Sequence, residues 1–347
     1  MRRPTLLAVL ILYTTFCLSP AIAQTAPDYK SDPKFQAAIA EGKKLKHDRQ
    51  IFFAIDAYKK ASKIANGKDL DVLNEILALQ LSTGNYKDAV TTASSLEAAS
   101  TTPILKSRAE ANRGYALFLQ AGEKNKPDLM NAADAAFKAA IVDDPKNATA
   151  LYLDGTVLAH MGKMDAAREQ FKSCVSCVNP EDPSYLRAKH FAEDPSLSVH
   201  KMAPAIDVVA LDGSKFNLDA MGGRVVLIDF WATWCGPCNE ELPHMKKIAK
   251  EFAGQPLVII SISWDSDETK WKNFIEKNEM TWVQYRDADH SLSKKFGVEA
   301  IPHYFTIDSD GVLTAEMLGS GSDVEGKLKK LIARAKTSAP PTNQVGN

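Results

Sequence analysis

The stretch Val225–Cys238, reading VVLIDFWATWCGPC, constrains this chain more than any other part of it. Five of its first six residues (Val225, Val226, Leu227, Ile228 and Phe230) are apolar and several are β-branched, the pattern of a short strand buried on both faces of a parallel or mixed sheet. The run ends in Trp-Cys-Gly-Pro-Cys. Asn239–Phe252 then carries apolar residues at Leu242, Met245, Ile248, Ala249 and Phe252, which predicts a helix. Strand, tight turn and helix start put both cysteines where unpaired backbone N–H groups and the helix dipole favour negative charge. A thiolate at Cys235 is stabilised in such a place, and the thiolate is the nucleophile of disulfide exchange. A Cys-x-x-Cys in a strand–helix–strand context therefore reads as a redox motif. The competing explanations are half a zinc site or a structural bridge. Zinc needs a second ligand pair at comparable spacing, which this part of the chain lacks, and a structural bridge rarely sits at such a turn between Trp231 and Trp234.

A strand ending Asp-Phe-Trp-Ala before WCGPC resembles thioredoxin. The longer string FWATWCGPCNEELP, with a lead-in at Ala203-Pro204 and a turn at Leu211-Asp212-Gly213, is more similar to the extracytoplasmic TlpA/ResA branch of the AhpC/TSA-redoxin superfamily. The resemblance covers about Leu197–Ala335. It implies an α/β thioredoxin fold, a central mixed sheet flanked by helices. It also implies a thiol-disulfide oxidoreductase that exchanges dithiols and disulfides on proteins, in the reducing direction, without organic cofactor or metal.

The resemblance also assigns roles. Cys235 attacks the substrate disulfide, and Cys238 resolves the mixed disulfide. Gly236 and Pro237 shape the turn, leave a donorless position at the helix start and go with a reducing poise. Asp229, six residues before Cys235, matches the buried aspartate of thioredoxin; burial without a nearby cation raises a carboxyl pKa, so it can take the proton of Cys238. Glu241, three past Cys238, matches the active-site glutamate of the ResA type, and which of the two is the base stays open. The lysine that partners the thioredoxin aspartate is replaced near Ser261. Ile301-Pro302, in GVEAIPHYFTID, falls where the family has a cis-proline loop; its backbone, with Trp234, Gly236 and Pro237, is expected to meet an extended substrate segment. Electrons are expected from a membrane redox partner. Peroxidase chemistry is disfavoured: a Pro-x-x-x-Thr/Ser-x-x-Cys string is missing, since Ala232 stands three before Cys235 and no proline precedes it.

The remaining sequence surrounds this unit with others. A length of 347 residues predicts two or three domains, and 42 Lys+Arg against 43 Asp+Glu leave no basic footprint for nucleic acid. Residues 1–23 read as a signal peptide, with Arg2 and Arg3, an apolar Leu6–Leu18 and a small-x-small site at Ala21-Ile22-Ala23. The apolar run is short of the ~20 residues a membrane span needs. The mature protein is therefore expected outside the cytoplasm, in the periplasm or otherwise exported, with an uncleaved anchor as the alternative and Cys17 discarded with the peptide.

Residues 29–178 are Ala-rich and helix-patterned. Gly155, Gly162, Ala167, Phe171 and Cys174 mark one repeat over Ala148–Glu181; Gly114, Ala133, Phe137, Ala140 and Pro145 mark the one before it, with Gly122–Asp128 as an inserted loop. Gly42, Ala54, Tyr58 and Ala61 mark a first unit, and Gly84, Tyr86 and Ala89 a weaker second. The pattern resembles tetratricopeptide repeats of ~34 residues, in which a small residue lets paired helices approach and an aromatic fills the gap; an irregular helical bundle is the alternative. Such an array binds a client or partner protein, or dimerises, on a concave surface. His160, His190 and His200 are isolated, and no metal site is expected. Cys174 and Cys177 form a second Cys-x-x-Cys on a helix, open to four readings: buried thiols, a disulfide, a relay or a metal pair.

Residues 179–196 are expected to form a capping helix (Ser184–Phe191) and linker, 197–336 the thioredoxin-like domain, and 337–347 a disordered tail. Within the domain, Leu257–Ser263, Tyr304–Ile307 and Leu313–Met317 read as strands, and Glu268–Asn278, Leu292–Phe296 and Val324–Ala335 as helices. A rival function is a tetratricopeptide adaptor or scaffold whose thioredoxin fold serves only for docking. The intact Cys-x-x-Cys argues against it.

Overall fold

A computed structural model describes residues 28–124, 126–182 and 184–338; the signal peptide and the tail beyond 338 lie outside them. The described residues form two compact units, 28–179 with 188–196, and 180–187 with 197–338.

The first unit is helical. It runs through α1 (Pro33–His47), α2 (Ile51–Ile64), α3 (Leu70–Ser82), α4 (Tyr86–Ala99), α5 (Pro103–Lys124), α6 (Pro127–Asp143), α7 (Ala148–His160) and α8 (Met164–Cys177), and the division between the units falls inside α9 (Ser184–Glu193). Side-chain caps start several of these helices: Asp69 accepts from the Val72 N–H at 3.0 Å and Asn147 from the Ala150 N–H at 3.0 Å, each satisfying an orphan donor of the first turn. Gly84 and Gly162 hold left-handed conformations (φ +75° and +74°) in the turns after α3 and α7, where a side chain is strained.

Three helix pairs close on the same contact. A methyl group at Gly42 in α1 would lie 2.9 Å from the Tyr58 ring of α2. At Gly114 in α5 it would lie 2.8 Å from Phe137 of α6, and at Gly155 in α7 2.8 Å from Phe171 of α8. These are the small-residue and aromatic positions expected from the repeat pattern. The pair α3–α4 packs instead through Leu73, Leu77, Ala89 and Ala93. One expectation changes: Gly122–Asp128 is not a free loop. Its beginning completes α5, and Pro127 opens α6 at the first helical position, where its missing N–H costs nothing.

The second unit is a five-stranded mixed sheet. Its elements are the hairpin β1 (Asp207–Val209) and β2 (Lys215–Asn217), then β3 (Val225–Trp231), α10 (Gly236–Glu251), β4 (Leu257–Ser263), α11 (Glu268–Lys277), β5 (Val283–Arg286), α12 (Ser291–Phe296), β6 (His303–Ile307), β7 (Leu313–Leu318) and α13 (Val324–Ser338). The sheet order is β5-β4-β3-β6-β7, with β4 parallel to both β3 and β5 and the remaining pairs antiparallel. Every residue of β3 is buried, as its apolar run, interrupted only by Asp229, requires in a central strand. Val226, Ile228 and Phe230 pack on one face with Ile260, Ile262 and Phe305; Val225 and Leu227 pack on the other with Met245, Ile248, Leu328 and Ile332.

The strand expected over Leu257–Ser263 forms with those bounds, and the other strands and helices expected here form with an end moved by one to three residues. Strand β5 was not expected. Its four residues, Val-Gln-Tyr-Arg, are too short a stretch for period-two alternation to stand out, and the Leu211 N–H covers its outer edge by donating to the Gln284 carbonyl at 2.9 Å. Helix α13 continues through Thr337 and Ser338, so the tail expected from residue 337 begins with helix.

Candidate active site

Helix α10 begins three residues earlier than the apolar spacing predicts. Pro237 is accommodated in the first turn, and Cys235 itself is the N-cap, its sulfur accepting the Cys238 N–H at 3.2 Å. Cys235 and Cys238 are joined in a disulfide with their Cα atoms 5.2 Å apart. In this oxidised form exposure does not separate them, at 6% and 7%. What distinguishes them is position: Cys235 caps the helix, while Cys238 lies one turn inside.

The loop that delivers Cys235 is held from below. Asp265, just past β4, is buried and accepts both the Thr233 N–H (2.9 Å) and the Thr233 hydroxyl (2.6 Å), and Asn239 donates to the Thr233 carbonyl at 3.1 Å. Trp234, by contrast, is 59% exposed beside the disulfide. From the other side, the Ile301-Pro302 peptide is cis, and the Ile301 carbonyl oxygen lies 3.8 Å from Cys235 Sγ. The Gly319 N–H donates to the Pro302 carbonyl at 2.9 Å, tying that loop to the end of β7.

Behind the disulfide a small cavity is lined by Asp229, Cys238, Asn239, Tyr304 and apolar side chains from Trp231, Leu242 and Met245. Its ≈ 10 Å³ is about what one water needs. Asp229 is buried, and burial pushes its carboxyl up to about 7, with Glu241 adding to the rise and a hydrogen bond from Ser261 opposing it. That bond, Ser261 Oγ to Asp229 Oδ2 at 2.9 Å, follows from the register that sets Ser261 beside Asp229 across β3 and β4. Tyr304 stands on the other side of Asp229, across β3 and β6, and its hydroxyl is pushed upward by burial and by the two carboxylates.

Glu241 is not a solvated helix residue. Its Oε1 accepts the Gly321 N–H at 2.7 Å, and its Oε2 meets His244 Nδ1 at 3.1 Å. Both oxygens are engaged, whereas Asp229 Oδ1 carries no hydrogen bond among the described residues. Asp265, Trp282 and Gly321 were not singled out from sequence. Only Asp265 left a trace there, as a carboxylate following a buried strand.

In the helical unit Cys174 is buried with its Sγ 3.4 Å from the Ala148 carbonyl, Cys177 is partly exposed, and both are thiols. Among the described residues no group of three or more His, Cys, Asp or Glu is arranged to hold a metal ion. No described helix is long and apolar enough to cross a membrane.

Residues 198–332 match the Redoxin family. Thiol-disulfide oxidoreductase ResA of Bacillus thuringiensis (strain Al Hakam) is 30% identical over 143 residues, which span 41% of this chain and 83% of that protein. The thioredoxin-like protein YneN of Bacillus subtilis (strain 168) is 30% identical over 132 residues, 37% of this chain and 76% of its own. A solved thioredoxin domain of a thiol-disulfide oxidoreductase from Bacteroides vulgatus is 29% identical, covers 38% of this chain and 96% of its own, and superposes with a TM-score of 0.36. With four-fifths of the B. thuringiensis relative spanned at this identity, the chain belongs to the family of ResA-type thiol-disulfide oxidoreductases.

Proposed function

We propose that this protein is an exported thiol-disulfide oxidoreductase that reduces disulfides on client proteins through Cys235 and Cys238. The observation that carries the reading is the Cys235–Cys238 disulfide at the start of α10, with Asp229 lining the same cavity as Cys238. In the reduced enzyme the Cys235 thiolate attacks one sulfur of the client disulfide; that bond breaks, a Cys235–client disulfide forms, and the departing client thiolate takes a proton from water. Cys238 then gives its proton to Asp229 and attacks Cys235 Sγ, releasing the second client thiolate. Two electrons pass from the enzyme dithiol to the client, and the enzyme is left with its disulfide. A membrane redox partner returns the electrons.

Asp229 serves as the base because Glu241 is committed to Gly321 and His244. Trp234, Gly236, Pro237 and the Ile301-Pro302 backbone receive the client segment around the disulfide, in the manner of strand addition. The helical unit is a tetratricopeptide array that selects clients or a partner protein, supported by the Gly–aromatic contacts of three helix pairs. Export rests on residues 1–23, the signal-peptide pattern.

Insulin reduction with a chemical dithiol supply tests the activity. Turnover that disappears in Cys235→Ala is expected. A folded parent chain without turnover overturns the enzyme reading in favour of a docking adaptor.

A further inference from the structure

Trp282, in the segment before β5, donates its indole N–H to Ser261 Oγ at 2.8 Å, and Ser261 Oγ lies 2.9 Å from Asp229 Oδ2. Trp282, Ser261 and Asp229 thus form a continuous chain of hydrogen bonds ending on the carboxyl group assigned as base.

The chain has one direction. An indole nitrogen only donates, and a serine hydroxyl has a single proton. Since Ser261 accepts from Trp282, its own proton is the one shared with Asp229. Ser261 is fully buried, so water does not compete for it. Nor does Gln284, its neighbour in register across β4 and β5, whose side-chain amide has no hydrogen-bond partner among the described residues. A hydroxyl held as a donor favours the ionised form of the carboxylate it faces, and polarisation by a second donor strengthens that bond.

The chain also decides which oxygen is used. With Oδ2 held by Ser261, Oδ1 is the oxygen left to receive a proton from the cavity that Asp229 shares with Cys238. The other titratable groups facing Asp229 are Cys238 and Glu241 of α10 and Tyr304 of β6. None of them is a cation, so the donor chain is what opposes the cost of burying this charge.

We propose that Ser261 and Trp282 are positioning residues for the proton transfer, a one-way donor chain that aims the Asp229 carboxylate at Cys238 and keeps it available in its ionised form. The inference rests on the reading of Asp229 as the base. It replaces a charged partner with a neutral one that needs no solvent access.

The test follows the Asp229 carboxyl by carbon-13 NMR against pH in the reduced full-length chain, together with the pH profile of insulin reduction. In Ser261→Ala the Asp229 titration is expected to move upward by about one pH unit, the effect of losing one hydrogen bond to a charged group, and the activity profile to follow it. Trp282→Phe, which keeps Ser261 and its packing, is expected to shift both in the same direction by less. Ser261→Thr restores the parent values. If Asp229→Asn leaves the activity profile unchanged, the assignment of the base is wrong. If Asp229→Asn removes the inflection while Ser261→Ala and Trp282→Phe leave the Asp229 titration where it was, the base stands and the donor chain is overturned.

Discussion

The backbone N–H of Cys238 points at the sulfur of Cys235 across 3.2 Å, so the cysteine proposed as the nucleophile is also the residue that caps its helix. In the reduced protein that N–H and the dipole of α10 both act on the Cys235 sulfur, and both favour the thiolate over the thiol. Iodoacetamide alkylation of Cys235 is therefore expected to inflect at least about one pH unit below the ~8.5 of an ordinary cysteine. An inflection at the ordinary value would show that the capping geometry leaves the thiol unactivated.

The order of attack has its own consequence. If Cys238 resolves the intermediate, Cys238→Ala halts after the first step and accumulates disulfide-linked complexes with exported clients. Cys235→Ala cannot begin and traps none. Non-reducing gels of the two variants read the difference, and equal trapping would reverse the assigned roles.

The helical unit makes a prediction in which two known effects oppose each other. Replacing glycine by alanine inside a helix normally stabilises it by up to about 1 kcal/mol. At Gly155 the new methyl would stand 2.8 Å from the Phe171 ring, which is itself fully buried and has nowhere to go. Overpacking costs about 1–3 kcal/mol, so Gly155→Ala is expected to lower the urea midpoint. Gly122→Ala, where nothing lies within 4 Å, is expected to leave it unchanged or raise it. A Gly155→Ala variant as stable as the Gly122→Ala variant would show that α7 and α8 are not held by this contact.

Much of this was legible in the chain, for a physical reason. Strand β3 is apolar at every position but Asp229 because it is buried on both faces, and a glycine that meets an aromatic leaves a spacing pattern at Gly42–Tyr58, Gly114–Phe137 and Gly155–Phe171. Such signals are local or periodic. The start of α10 was placed late because Gly236-Pro237 reads as a turn, although proline suits a first helical turn. What surrounds Asp229 and Glu241 was hidden for another reason. Trp282, which follows α11 in the sequence, reaches back 21 residues to Ser261, and the Gly321 N–H reaches Glu241 from the turn before α13. Neither contact has a sequence spacing to betray it, and one of the two donors is a backbone group that any residue would supply.

A second buried carboxyl group gives the helical unit a pH dependence of its own. Asp154 in α7 is fully buried, and neither of its side-chain oxygens has a donor among the described residues. Its close neighbour is another carboxylate, Asp134 of α6, which Lys138 meets at 2.8 Å. Two ionised carboxylates cannot hydrogen-bond each other; with one proton between them they can. Burial first, and Asp134 second, push Asp154 up to about 7, while Lys138 and Lys163 pull it down. Because the folded pKa lies above the unfolded one, the stability from this group is fully present below about pH 4 and is lost as pH rises through about 7. Asp154→Asn carries no charge and can donate an amide N–H to Asp134 at any pH. At pH 8 the variant's helical unit is expected to be more stable than the parent's, by on the order of 2–4 kcal/mol, and at pH 4 the two should nearly coincide. Thermal melts of the full chain at both pH values measure this, and a variant that stays parallel to the parent, or falls below it at pH 8, would show that Asp154 is accommodated as an anion.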